Sequence, residues 1–169
     1  MLVMVGEKFA CIKIIGRANF NSSIDFRALL NGLLQQGFSY FILEVSECTL
    51  MDSTFLGVLA GFGIKLAGGQ KEPTVRPIEL LNANNRIIDL LENLGVLHLF
   101  SRTEGPLKLE CQQTRDYAPL NPTREEVTRA CLEAHETLME IDPNNVPKFK
   151  EVAQFLAEDL KKLQSPNHN

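Results

Sequence analysis

Apolar positions along this chain change their spacing several times, and each change marks an element. Residues 2–5 and 9–15 (FACIKII) are rich in β-branched and aromatic residues with partial alternation, and GEK between them suits a hairpin turn. In NFNSSIDFRALLNGLLQQG, Phe26, Leu29, Leu30, Leu33 and Leu34 recur at helical spacing. Ser22 and Asp25 resemble a capping pair there, and Gly37 suits a helix stop. FSYFILEVSE is a short apolar run bounded by polar residues, the pattern of a central strand buried on both faces. A helix from about Ser53 to Leu66 is predicted next, closed by GGQKEP. RPIELLN at 76–82 reads as a strand, and Ile87, Leu90, Leu91 and Leu94 share one face of a helix stopped by Gly95. VLHLF at 96–100 reads as a last strand.

Strands alternating with helices imply an α/β domain: a mixed, mostly parallel sheet of about five strands with helices packed against it, opened by a hairpin. That domain takes residues 1–102. Residues 103–122 lack a sustained period, contain three prolines (Pro106, Pro119 and Pro122), and read as a linker with a short extended segment at LKLE. Residues 123–164 read as a C-terminal helical hairpin. Thr123 and Glu126 form a T-x-x-E capping box, with Val127, Cys131, Leu138 and Ile141 on one side of the first helix. DPNN turns the chain, and Phe149, Val152, Ala153, Leu156, Leu160 and Leu163 stripe the second helix. Neither helix can bury its stripe alone, so the hairpin must pack on the sheet domain, on a partner or on a second copy. A homodimer through the Phe149–Leu163 stripe is the sharper of these expectations.

Composition narrows the function classes. A formal net charge of −4 argues against a broad nucleic-acid footprint. No apolar run approaches the roughly 20 residues of a membrane span, and no signal pattern opens the chain, so a cytoplasmic protein without membrane insertion is expected. Cys11, Cys48, Cys111 and Cys131 are scattered without a C-x-x-C pair. They read as reduced thiols, and neither a metal nor another cofactor is expected.

The candidate chemistry lies in TLMDSTFLGVLAGFGIKLAGG, residues 49–69. Asp52, Ser53 and Thr54 can all cap a helix, each for about 1 kcal/mol. The helix behind them is rich in small residues (Gly57, Ala60, Gly61, Gly63, Ala67), although a glycine inside a helix costs about 1 kcal/mol relative to alanine. Close approach of this helix to the sheet is the expected compensation. A hydroxyl held at a rigid helix start suits reversible phosphorylation, because a phosphoserine with about −1.5 to −2 charges meets the positive end of the helix.

LMDSTFLGVLAG after an apolar strand, with NANNRIIDLLENLGVLHLF further on, resembles the phosphorylation-site region of the STAS domains of the anti-sigma factor antagonist family. The resemblance covers residues 2 to about 100. It implies a partner-switching protein that binds an anti-sigma factor doubling as a serine kinase. Phosphorylation of Ser53 then breaks the complex, and a PP2C-type phosphatase restores it. By the same matching Asp52 is the flanking acid and Thr54 the neighbouring hydroxyl; with Asn19, Asn21 and Asn82 they would contact the partner. Phe55 stands where the family usually has glycine, and Asn19 and Asn21 lie in a loop that often carries an acidic residue in the family. Phe55 either anchors a partner or turns into the core.

Two rivals remain. As a hydrolase nucleophile Ser53 would need a base. The histidines are His98 in the last strand run, His135 in the appended helix and His168 near the end, and none is expected to reach it. No G-x-S-x-G elbow surrounds Ser53 either, so the chain is not expected to be an enzyme. GFGIKLAGG sits inside a helical run and is no phosphate-binding loop. The stronger rival is a STAS-type module that is never phosphorylated, a scaffold or a subunit of a signalling or transport assembly.

Overall fold

The N-terminal runs form the expected hairpin in the computed structural model, which describes residues 1–7, 9–69, 74–106, 113–116 and 120–165. β1 (Leu2–Val5) pairs antiparallel with β2 (Phe9–Lys13), Leu2 opposite Lys13. From β2 the sheet grows by parallel pairing, through β4 (Tyr40–Glu44) and β6 (Ile78–Leu81) to β7 (Ser101–Thr103). On the other side β1 pairs antiparallel with β8 (Gln113–Asp116), giving the order β7-β6-β4-β2-β1-β8. A separate parallel ladder joins β3 (Gly16–Ala18) to β5 (Cys48–Met51). The fold class is the α/β arrangement read from the pattern, with a sixth strand drawn from the segment read as a linker. LKLE lies outside the described residues.

Alternation along the strands builds two cores. Ala10, Ile12, Phe41, Leu43, Ile78 and Leu80 join Phe26 and Leu30 of α1 (Phe20–Gln35) and Phe55 and Leu59 of α2 (Ser53–Leu66) in one buried cluster. The intervening positions Cys11, Ile42 and Leu81 form a smaller cluster flanked by Met4 and Phe9. Each large side chain fully buried here contributes about 1.5–3 kcal/mol.

Two boundaries differ from the sequence reading. α1 starts at Phe20 because Asn19, not Ser22, is its cap: Asn19 and Ser22 form a reciprocal capping box. VLHLF is not a strand. After Gly95 (φ +68) ends α3 (Asn85–Asn93), Leu97–Leu99 make one 3-10 turn that buries Leu99. β7 begins only at Ser101, so local β propensity yields to burial of the turn.

The hairpin is α4 (Arg124–Ile141) and α5 (Val146–Gln164), joined through a 3-10 turn at Pro143–Asn145. Thr123 and Glu126 make the capping box. α4 lies along α2 and α1, and Ala134 and Leu138 enter the main core. Asn145, fully buried, donates from Nδ2 to the Leu94 carbonyl at 2.8 Å and the Leu138 carbonyl at 2.9 Å, tying the tip to the end of α3. The glycines of α2 serve a neighbour other than the expected one. A Cβ at Gly57 would lie 2.4 Å from the Ala134 carbonyl oxygen, so the close approach there is to α4 and not to the sheet. On α5, Ala153 is buried, whereas Val152 and Phe155 are 43% and 66% exposed, so the apolar stripe is only partly covered. Among the described residues no helix is long and apolar enough to cross a membrane.

Candidate functional site

The β3–β5 ladder brings the starts of α1 and α2 side by side. Ala18 pairs with Met51, and the Asp52 amide donates to the Ala18 carbonyl at 3.0 Å. Asp52 is the N-cap of α2: its Oδ1 accepts from the Phe55 amide at 2.9 Å. Its Oδ2 accepts from the Phe20 amide at 2.7 Å, the first residue of α1. One carboxylate thus sits between two positive helix ends, each such interaction typically worth 0.3–1 kcal/mol.

Ser53 follows as the first residue of α2, half-buried. Its Oγ lies 3.0 Å from Nε2 of His135, and Nδ1 of His135 lies 2.7 Å from the Cys131 carbonyl oxygen. A carbonyl only accepts, so Nδ1 carries the hydrogen. When the ring is neutral, Nε2 is then the acceptor for the Ser53 hydroxyl. The imidazole is 6% exposed, with the Phe149 ring 4.9 Å away from centroid to centroid. Next door Thr54 is buried, and its hydroxyl donates to the Cys131 sulfur at 3.7 Å. Burial raises the Cys131 thiol above its ordinary value and the charge of Asp52 raises it further, keeping the sulfur protonated at neutral pH.

The sequence expectation that no histidine reaches Ser53 is therefore wrong. His135 reaches it because α4 folds back over α2. A signal was present: Ala130 and Ala134 lie one turn apart on α4 beside His135, small residues matching Gly57 and Gly61 on α2. A hydroxyl bonded to an imidazole is also the start of a nucleophile–base pair. Here Nδ1 is held by a backbone carbonyl rather than a carboxylate. The neighbouring grooves, about 270 Å³ around Arg27, Gly61, Lys65 and Thr137 and about 440 Å³ around Asn21, Asp25 and Leu120, are lined by neither Ser53 nor His135. Among the described residues no three His, Cys, Asp or Glu side chains gather as a metal site.

The remaining residues read as partner contacts fall apart into different roles. Phe55 is fully buried with its ring 4.7 Å from that of Phe26, so in this conformation it belongs to the core and presents nothing to a partner. Thr54 is likewise sealed. Asn19 caps α1, and Asn21 is exposed in its first turn. Asn82 (φ 57) donates to the Gly105 carbonyl and accepts from the Gly105 amide, fastening the segment after β7. His98 falls in the 3-10 turn, and His168 and Cys111 lie outside the described residues.

No protein-family model matches this chain, and no curated protein sequence matches it. Among solved structures it is similar to the anti-sigma factor antagonist SpoIIAA in its unphosphorylated form, with a TM-score of 0.46 and 22% identity over 54% of this chain and 80% of that one. At that level the likeness assigns no residue a role.

Proposed function

We propose that this chain is a partner-switching protein of the anti-sigma factor antagonist type. Unphosphorylated, it binds an anti-sigma factor that is also a serine kinase; phosphorylation of Ser53 releases it, and a PP2C-type phosphatase resets it. The observation that carries this reading is the placement of Ser53 in the D-S-T motif. It heads α2 directly after β5, behind a cap residue clamped to a second helix. Charge added at such a fixed point alters docking while the strands beneath keep their packing. The test is incubation of the full chain with ATP and a serine kinase encoded beside its gene, with the phosphate located by peptide mass mapping. Binding of wild type, Ser53→Ala and Ser53→Asp is then compared. Phosphate on Ser53 and at least tenfold weaker binding by Ser53→Asp, about 1.4 kcal/mol, support the switch.

A second reading, an interaction module that is never phosphorylated, is favoured by one observation: the Ser53 hydroxyl is already bonded to His135 and Thr54 is sealed beneath α4. Equal binding by all three proteins and no phosphate on Ser53 would select it.

A further inference from the structure

We infer that the α4–α5 hairpin is a detachable internal cover over the head of α2, and that Ser53 is modified only when the cover is lifted. The second half rests on the reading of Ser53 as a phosphorylation site; the first half does not.

In the closed form the Ser53 hydroxyl and its proton lie against His135, with Oγ 3.0 Å from Nε2. A kinase would have to pass the γ-phosphoryl group of ATP to Oγ while its own base takes that proton and ADP leaves. Neither the alignment nor the room exists while His135 is in place, since a tetrahedral group with three oxygens does not fit into a hydrogen-bond contact.

The contact is close, and few of its side chains are large. At its tightest point it is backbone on backbone, the Ala134 carbonyl against Gly57. Its buried α4 side chains are mostly small, with Leu138 the one large aliphatic anchor. Small side chains bury little apolar area each, so the docked state is held mainly by Leu138 and by the Asn145 bonds at the tip. The fastening between α1 and α4, Arg27 to Glu133 at 2.6 Å, is half-exposed and correspondingly weak.

Gly57 supplies a selective probe. Gly57→Ala improves the intrinsic helix propensity of α2 while its methyl group collides with the Ala134 carbonyl. Ser53→Glu introduces bulk and charge at the other contact. Amide hydrogen exchange followed by mass spectrometry on the full chain reads both. We expect amides in 124–164 to lose at least tenfold of their protection in each variant, while β4 and β6 keep theirs. Unchanged hairpin protection in either variant overturns the proposal. Protection lost across the sheet as well as the hairpin also overturns it, because the cover would then be inseparable from the domain. Neither measurement uses a kinase, so failure of Ser53 to accept phosphate would count against the functional reading and leave this result standing.

Discussion

Asp52 accepts from the first amides of two different helices, and removing it leaves both donors short of a partner. With each cap worth about 1 kcal/mol, Asp52→Ala should lower unfolding stability by about 2 kcal/mol. Asp52→Asn, which keeps one acceptor oxygen, should cost less; urea denaturation at constant m-value checks both. Tyr40 gives a second residue-scale expectation. Burial raises its phenol to about 12 from an ordinary 10.0, helped by its hydrogen bond to Glu79. The folded state favours the protonated ring, so its contribution is full below pH 10 and is lost as the pH climbs through 12. Phenolate absorbance should show one tyrosine titrating near 12, and Tyr40→Phe should abolish that step. At this scale the cap was legible, because Asp before Ser-Thr at an apolar run signals a helix start. His135 was not: its contact spans 82 residues and depends on how the hairpin docks.

Among the elements, periodicity identified the helices well, since a 3.6-residue stripe survives most tertiary contexts. The misread pieces were short. VLHLF has strand-like composition but is consumed in a buried turn, and β8 is built from the polar sequence QTRD, which carries no alternating apolar signal. The hairpin was legible as two helices, and its docking depends on Asn145, a residue that reads as an ordinary turn former. Asn145→Ala would orphan the carbonyls of Leu94 and Leu138. At roughly 1–3 kcal/mol per lost bond and about 2–4 °C per kcal/mol, the melting temperature should fall by something on the order of 4–24 °C, readable by circular dichroism.

For the molecule as a whole, α4 covers the faces of α2 and α1 that would otherwise be open, and Phe149 of α5 is already engaged with His135. Of the α5 stripe expected to make a dimer, Ala153 is buried and Phe149 is engaged, while Leu156, Leu160 and Leu163 are half-buried and Val152 is exposed beside Phe155. We expect the full chain to have a monomer mass by light scattering at micromolar concentration. A chain ending at residue 122 should self-associate through the uncovered face of α2. A full-length dimer dispersed by Phe155→Asp would reverse this expectation.

The strand β8 bears on how such a molecule would respond to competition. Thr123 follows Asp116 by only seven residues, and Asp116 is held opposite Leu2 at the sheet edge. A hairpin that swings free therefore stays on a leash of at most about 25 Å. It keeps revisiting α2 at a local concentration in the millimolar range, and an outside ligand must outcompete a rival that never diffuses away. Cutting that leash between Asp116 and Thr123 should tighten the apparent affinity of any such ligand without altering a single contact it makes.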